Sequence, residues 1–314
     1  MAAILIPVPA GFRFIPTVFS HGWYQLPPFS YDHASQVLTR VHQFRDGGVA
    51  RLRIGGGEND GTVRVSVEAG GKGRLSRERR EEVVRVVGTC LNLTRDLTPF
   101  YRSARRRPEY RWVETMGAGR MLVSPTVWED LAKTLLTTNT TWGATVQMCR
   151  RLATLGAPLG EGEHSFPTPE RVASLSVDAL NDHVRAGYRS AYLSQLARAI
   201  VEQGLDLELW REPGVSGDDL FRRIRGLKGF GEYAAGSMCR LLGSFDRLGL
   251  DSSCRASFRE RNGGEPASDK QIALYYEPFG EWCGLALWMD VMKSHLTEYA
   301  GATARCPGED ISPK

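Results

Sequence analysis

The spacing of the apolar residues changes near residue 78, and this change limits the possible folds of the 314-residue chain more than any other feature. Before it, apolar and polar residues alternate in the runs that begin at Val49 and Thr62, so the apolar side chains share one face of a β-strand. After it, apolar residues recur every three or four positions, which is the period of an amphipathic helix. The sequence therefore predicts an α+β fold, a small N-terminal antiparallel sheet followed by an all-helical body.

Two local patterns refine this prediction. Thr126 and Glu129 have the Thr-x-x-Glu spacing of a capping box, which predicts that a helix begins at Thr126. The stretch from His21 to Phe29 is rich in aromatic residues and proline, which predicts an edge strand that leads into a loop.

The composition excludes some classes of protein. A net charge of +4 and a pI near 8.7 permit an anionic partner without requiring one. No uncharged apolar run approaches the roughly 18–20 residues of a membrane span, and the N-terminus lacks the basic segment of a secretory signal. We therefore expect a cytoplasmic protein without a membrane partner, associated with the nucleoid if the source is bacterial.

The cysteines do not have the spacing of a metal site. No two of the six lie closer than 15 positions, whereas thiolate-bound zinc and iron–sulfur clusters usually need a tight pair such as Cys-x-x-Cys. We expect no iron–sulfur cluster and no metal held by side chains.

A glycine-rich turn joins two helical segments at Gly226-Leu-Lys-Gly-Phe-Gly-Glu. Gly229 and Gly231 allow the tight turn, and the first N–H groups of the following helix point outward, where they can bind a phosphate. With arginines just upstream, the pattern indicates a helix-hairpin-helix, a unit that binds the DNA backbone without reading bases. Turns of this kind also join ordinary helix pairs.

Asp251 lies 18 positions after Tyr233 and is followed by two serines. An aspartate in this setting is most often a helix N-cap. The alternative is a catalytic carboxylate at a helix N-terminus that faces the hairpin.

Several stretches together resemble a known family. Leu227-Lys-Gly-Phe-Gly-Glu-Tyr, followed by Asp251, resembles the hairpin and the invariant aspartate of the helix-hairpin-helix DNA glycosylases. Three further stretches resemble the branch that contains 8-oxoguanine glycosylase and bacterial 3-methyladenine glycosylase II: Leu135-Leu-Thr-Thr-Asn-Thr-Thr-Trp, Gly187-Tyr-Arg-Ser-Ala-Tyr and Gly280-Glu-Trp-Cys-Gly-Leu-Ala-Leu-Trp.

The resemblance covers most of residues 90–296, with a weaker match at Ser20-His-Gly-Trp-Tyr. It implies a two-lobed helical body that contains the helix-hairpin-helix. The expected regions are the sheet domain at residues 1–85, a lobe formed by 86–125 and 251–314 that carries the C-terminal pocket helix, and a lobe with the helix-hairpin-helix at 126–250.

The resemblance also implies roles for individual residues. Asp251 is the expected catalytic residue, Asn139 enters the gap left by an extruded base, and Tyr188 with Arg189 wedges the duplex. The expected base pocket consists of Tyr233, Ser237, Leu287, Trp288, Trp282 and Trp23. The expected DNA contacts are Asn139, Tyr188, Arg189, Leu227, Lys228, Gly229, Gly231 and Ser253. The hairpin of the family can also bind a monovalent cation, here through the carbonyls of Arg225, Leu227 and Phe230.

The sequence departs from the family at three points. Members that also cut the strand carry a Schiff-base lysine where this chain has Tyr233, so the lyase route should be closed. The four-cysteine cluster of the endonuclease III branch is absent. Leu287 lies near the position where 8-oxoguanine glycosylases place a glutamine against the base, which puts that specificity in doubt.

The sequence thus predicts a monofunctional DNA glycosylase of base excision repair that acts on double-stranded DNA as a monomer. Its aromatic pocket favours a cationic alkylated purine through cation–π attraction, although a tyrosine at position 233 also occurs in members that remove mismatched thymine. The alternatives are an 8-oxoguanine or thymine/uracil mismatch glycosylase, a glycosylase–lyase that uses Lys228, and a non-catalytic protein that binds damaged DNA.

Overall fold

The computed structural model describes residues 3–57, 61–69, 75–160, 162–212 and 214–303. Its N-terminal part is a five-stranded antiparallel sheet with the strand order β1-β5-β4-β3-β2. The strands are β1 (Ile4–Pro7), β2 (Phe29–Asp32), β3 (Val37–Gln43), β4 (Val49–Gly57) and β5 (Thr62–Ala69). Ile54 pairs with Val65, and both side chains are fully buried, as the alternation of the sequence predicts.

A helical body follows the sheet, which confirms the predicted α+β class. Its helices, after α1 (Phe14–Val18) in the sheet region, are α2 (Arg77–Cys90), α3 (Thr98–Arg105), α4 (Arg111–Thr115), α5 (Val127–Thr137), α6 (Trp142–Ala153), α7 (Pro169–Ala173), α8 (Val177–Val184), α9 (Tyr188–Gln203), α10 (Gly217–Arg225), α11 (Glu232–Leu241), α12 (Ser252–Arg261), α13 (Asp269–Tyr276) and α14 (Cys283–Thr303). A short hairpin interrupts them, formed by β6 (Pro158–Gly160) and β7 (Glu163–His164). Within the described ranges no helix has the length and apolarity needed to cross a membrane.

The stretch from His21 to Phe29 corrects the sequence prediction, because it is not an edge strand over its length. Gly22–Gln25 forms a 3-10 helix, and β2 begins only at Phe29. The reason is tertiary: the indole Nε1 of Trp23 donates a hydrogen bond over 2.8 Å to Asp130 Oδ1 of α5, and the ring is buried. Packing against α5 therefore overrides the local preference for a strand.

Helix α5 is tied to the sheet by a buried cluster of charges. Arg40 of β3 donates two hydrogen bonds to the Glu129 carboxylate, over 2.8 and 2.6 Å, and Lys133 donates a third over 2.7 Å. Burial by itself raises the pKa of Glu129, but the two cations outweigh it and hold that pKa at about 2. Thr126 caps the helix as predicted, by accepting from the Glu129 N–H. The Glu129 side chain serves the cluster instead of closing the capping box.

The C-terminal helices pack on the middle of the chain through Asp290 of α14. Its carboxylate accepts hydrogen bonds from the hydroxyls of Tyr110 and Tyr276, and from Arg261 of α12 over 2.8 Å. These hydrogen bonds join residues that are far apart in the sequence, such as Tyr110 and Asp290, in one packed region. The division into two helical lobes stays a prediction. The end of the predicted lobe 251–314, residues 304–314 with Cys306, lies outside the described residues.

Candidate active site and nucleic-acid interface

A cavity of about 780 Å³ opens between the Gly22–Gln25 turn and helices α5, α11, α12 and α14. It brings together residues that are far apart in the sequence. Of the expected site residues, those that line it are Trp23, Asn139, Tyr233, Ser237, Asp251, Ser253 and Trp288. The volume is in the range of pockets that enclose small molecules, about 300–1,000 Å³.

Asp251 is both the N-cap of α12 and a wall of this cavity. Its Oδ1 accepts a hydrogen bond over 2.7 Å from the backbone N–H of Cys254, and the residue is half-buried. The capping and functional interpretations of the sequence are therefore compatible. The N–H groups and dipole of the first helical turn favour negative charge at this position.

Tyr233 and Ser237 lie one turn apart on α11 and face the cavity. Burial raises the pKa of the Tyr233 phenol, and the neighbouring Asp251 carboxylate raises it further. The phenol is therefore neutral at pH 7, a form that can both donate a hydrogen bond and stack on a ring. Among the described residues that line the cavity there is no lysine.

Arg240 is a cavity residue that the sequence analysis missed. It lies on α11 seven positions after Tyr233, and its side chain is buried. Its guanidinium carbon is 4.1 Å from the centroid of the Trp288 ring, and Nη2 donates to Ser237 Oγ over 3.4 Å. The available signal was the seven-residue spacing, two helical turns, which puts Arg240 on the face of α11 that carries Tyr233.

His21 is a second cavity residue without an assigned role. A carbonyl oxygen only accepts, so the 2.5 Å contact between Nε2 and the Leu122 carbonyl places the ring proton on Nε2. Burial lowers the pKa of His21 to about 3, against the effect of that hydrogen bond. The ring is therefore neutral near pH 7 and adds no charge to the cavity.

Two expected pocket residues pack elsewhere: Leu287 lies in the core, and the partly buried Trp282 packs against it. Trp282 stacks on Phe245 with the ring centroids 5.4 Å apart and packs against Phe100 at 5.6 Å. Leu287 is completely buried, and neither residue lines the cavity. We therefore assign both to packing. Trp288 lies in the same C-terminal segment as Trp282 and Leu287, but its ring faces the cavity.

A second, shallower groove of about 540 Å³ follows the glycine-rich turn between α10 and α11. It is lined by Asn139, Tyr188, Tyr192 and every residue from Arg225 to Gly231. Asn139 lines both the groove and the cavity. The expected DNA contacts at Leu227, Lys228, Gly229 and Gly231 therefore form one surface with Asn139 and Tyr188, and Ser253 lies on the cavity side.

Arg189 is part of the support for this surface rather than an exposed contact. The side chain is 8% exposed, and its guanidinium donates hydrogen bonds to the carbonyls of Thr138 and Asn139, the latter over 2.9 Å. Asn139 has a left-handed backbone with φ of 46°. Arg189 thus lies beneath the loop that carries Asn139, whereas Tyr188 is half-exposed, and the wedge role of the pair stays a prediction.

Two of the three hairpin carbonyls expected to hold a monovalent cation already accept hydrogen bonds in this arrangement. The Phe230 carbonyl accepts a hydrogen bond over 3.1 Å from Arg225 Nη1, and the Leu227 carbonyl accepts from the Phe230 N–H. A cation on the Phe230 oxygen would lie beside a guanidinium that repels it. In the described part of the chain, no cluster of histidine, cysteine or carboxylate side chains forms a metal site either.

Comparisons with known proteins establish what the fold is. No family model and no curated protein matches this chain. Among solved structures, the 3-methyladenine DNA glycosylase from Archaeoglobus fulgidus matches with a TM-score of 0.72 at 18% identity over 94% of this chain and 98% of that one. MBOgg1, solved with a low-affinity DNA ligand, matches with a TM-score of 0.71 at 18% identity over 95% and 96%.

A third structure extends the comparison to an enzyme with a second activity. The 8-oxoguanine glycosylase/lyase of Clostridium acetobutylicum matches with a TM-score of 0.61 at 16% identity over 80% of this chain and 88% of that one. The architecture is thus that of DNA glycosylases. More specifically, the chain has the fold of the helix-hairpin-helix DNA glycosylases, which confirms the resemblance found in the sequence.

Proposed function

We propose that this protein is a monofunctional DNA glycosylase of base excision repair. The observation that carries the proposal is the shared boundary at Asn139. On one side lies a cavity of about 780 Å³ that contains a carboxylate, Asp251, and on the other lies the groove of the glycine-rich turn. A bound duplex and a cavity large enough for one base would then meet at this residue.

The groove binds the phosphates beside the damaged nucleotide. Gly231 is the N-cap of α11 and has no side chain to cap the first N–H groups, which are therefore open to a phosphate oxygen. Lys228 is exposed in the same groove and adds a positive charge. Neither contact reads a base, so the protein slides along DNA until a weakly stacked base leaves the helix.

The flipped base enters the cavity, and Asn139 or Tyr188 fills the gap that it leaves. Extrusion costs a few kcal/mol, and less for a damaged or mispaired base. The Asn139 amide Nδ2 donates a hydrogen bond over 3.5 Å to the hydroxyl of the exposed Tyr188, at the junction of groove and cavity. Stacking of the Tyr188 ring in the gap offsets part of the extrusion cost.

Asp251 acts on the sugar once the base is in the cavity. Its carboxylate stabilises the positive charge that develops on the sugar as the glycosidic bond breaks, and it orients or deprotonates the attacking water. The products are a free base and an abasic site. A covalent lyase step needs an amine at the sugar. In this chain Tyr233 stands in the cavity where lyase members of the family have their lysine, and Lys228 lines the groove instead of the cavity. One lesion requires one copy, so the protein acts as a monomer.

The second candidate is a non-catalytic protein that binds damaged DNA. Such a protein needs the groove and the hairpin but has no need of Asp251, because a carboxylate repels the phosphates of a bound duplex. The position of Asp251 inside the cavity therefore favours the enzyme.

The test is single-turnover base release from duplexes that contain methylated purines, hypoxanthine, 8-oxoguanine, uracil or a thymine mismatch, each read with and without alkali. Asp251→Asn is the informative variant because asparagine caps a helix about as well as aspartate. We expect it to slow release by about 100-fold or more. Asp269→Asn, at an exposed aspartate in the first turn of α13, is the matched control and keeps full activity.

Each outcome bears on one part of the proposal. Release that depends on Asp251, with strand cleavage only after alkali, supports it. Strand cleavage without alkali would contradict the monofunctional assignment. Tight binding of abasic duplex without release of any base would favour the non-catalytic alternative.

A further inference from the structure

The sequence favours a cationic alkylated purine as substrate, because aromatic rings attract cations. In the structure, however, a cation of the protein, the Arg240 guanidinium, already lies over the ring of Trp288 in the cavity. The guanidinium carbon of Arg240 is 4.1 Å from the centroid of Trp288, and the Trp288 indole is fixed by a 2.8 Å hydrogen bond to the Ser20 carbonyl. One face of the ring is therefore covered by the protein itself.

Arg240 is also short of hydrogen-bond partners. The residue is 3% exposed, its Nη2 has only a long, 3.4 Å bond to Ser237 Oγ, and its Nη1 is buried without any partner. A buried charged donor without an acceptor is costly, so such groups usually have a partner in the functional state. The cavity that Arg240 lines is where a partner can arrive.

The charge of the cavity has few sources. Among the described lining residues that ionise, His21, Tyr24 and Tyr233 are neutral near pH 7, since burial lowers the pKa of the histidine and raises the pKa of both tyrosines. Burial also lowers the pKa of His295, which keeps this ring neutral as well. The remaining charges are Arg240 and Asp251, and in the proposed reaction Asp251 faces the sugar. The part of the cavity left to the base is therefore positive.

We propose that Arg240 determines the specificity of base release, and that the cavity takes a neutral base with adjacent oxygen or nitrogen acceptors rather than a cationic alkylated purine. This inference rests on the proposed glycosylase function. A planar guanidinium matches paired acceptors such as O6 and N7 of an oxopurine. A base with a fixed positive charge meets the same guanidinium in a site with little water to screen the repulsion.

The test compares two sets of duplexes under single turnover. Hypoxanthine, 8-oxoguanine and uracil form the neutral set, and 7-methylguanine and 3-methyladenine form the cationic set. Within the neutral set only hypoxanthine has the adjacent O6 and N7 acceptors, because N7 of 8-oxoguanine carries a hydrogen and O4 of uracil has no acceptor beside it, so hypoxanthine is the expected preferred base. Each rate with Arg240→Met is divided by the wild-type rate, which cancels the different intrinsic stabilities of the glycosidic bonds. We expect this variant to slow release of the preferred neutral base by about tenfold or more, while release of the cationic bases is unchanged or faster.

Two further variants separate specificity from folding. Arg240→Lys keeps the charge but not the planar fork, so it should still reject cationic bases while it loses part of the rate on the neutral base. Arg198→Met removes an exposed arginine of α9 that pairs with Glu202, and both sets should keep their wild-type rates. Far-ultraviolet circular dichroism of each variant shows that it is folded.

The outcomes distinguish this inference from the function on which it rests. Asp251-dependent release of only the cationic bases by the wild-type protein, or an equal effect of Arg240→Met on both sets, would overturn the role of Arg240 and leave the glycosylase assignment intact. If no base is released from any duplex, the glycosylase assignment fails and the inference fails with it.

Discussion

The guanidinium of Arg189 donates a hydrogen bond to the backbone carbonyl of Asn139 over 2.9 Å, from within the protein rather than from its surface. The same guanidinium also bonds the Thr138 carbonyl. Asn139 adopts a φ of 46°, a left-handed conformation that costs about 1–2 kcal/mol for most residues. Arg189 therefore holds in place a loop that borders both the cavity and the groove.

Arg189→Lys should loosen this loop, because an ammonium cannot bond two successive carbonyls with a planar fork. We expect base release to slow by about tenfold, which corresponds to about 1.4 kcal/mol, while the affinity for a duplex without a lesion changes little. Single-turnover rates and fluorescence anisotropy measure the two quantities. Arg198→Lys, on the exposed face of the same helix, is the control. An unchanged release rate would show that the loop is held without Arg189.

Substitution by alanine should affect stability at Gly229 and DNA affinity at Gly231. Gly229 has a φ of +89°, and a Cβ there would lie 2.5 Å from Leu135 Cδ1 and 2.8 Å from Tyr192 Cδ2. Gly231 has a φ of −75°, and no described atom lies within 4 Å of its added Cβ. Gly229→Ala should therefore lower the free energy of unfolding by about 1–3 kcal/mol.

Gly231→Ala, by contrast, should change stability by less than about 0.5 kcal/mol. Its methyl group occupies the space through which a phosphate approaches the first N–H groups of α11, so we expect affinity for duplex DNA to fall by about tenfold. Urea unfolding and anisotropy titrations separate the two effects. Full affinity in a stable Gly231→Ala protein would argue against close approach of the DNA backbone at this turn.

Glu129 should link folding stability to pH. Its pKa in the folded protein is about 2, below its ordinary value of 4.5, because Arg40 and Lys133 outweigh the opposing effect of burial. The unfolded chain therefore binds a proton first as the pH falls. The contribution of this carboxylate is complete above about pH 4.5 and is lost progressively toward pH 2.

Glu129→Gln tests this link by leaving Arg40 and Lys133 buried without a countercharge. We expect a loss of about 3–5 kcal/mol at pH 7 and a shallower fall of stability below about pH 5. Glu81→Gln breaks the exposed pair with Arg77 and should cost about 0.3–0.5 kcal/mol. Urea unfolding at several pH values measures both variants, and an equal pH slope for Glu129→Gln and the wild type would contradict the argument.

Much of the fold and part of the site could be predicted from the sequence, because the signals are local. The alternation in β5 and the N-cap at Thr126 depend on neighbouring residues, and both are present in the structure. The glycine-rich turn is equally local, since the φ of Gly229 is positive as a tight turn of this kind requires. The use of Asp251 as an N-cap follows the same logic.

Other features could not be predicted, because they depend on which distant side chains meet. The residues that flank Trp282 and Trp288 in the sequence do not distinguish the two. In the structure, Trp282 stacks on the buried Phe245, whereas Trp288 reaches the cavity. The loss of the expected strand at His21–Phe29 likewise follows from the contact between Trp23 and Asp130 of α5.

The sequence by itself determined the change from strands to helices, the helix start at Thr126 and the conformation of the glycine-rich turn, since backbone preferences and hydrophobic periodicity act over a few residues. Only the tertiary structure decided which charges are buried and what they face. Arg189 became a support for Asn139 and Arg240 a cation over Trp288, because burial and the low dielectric around a buried group depend on every element packed against it.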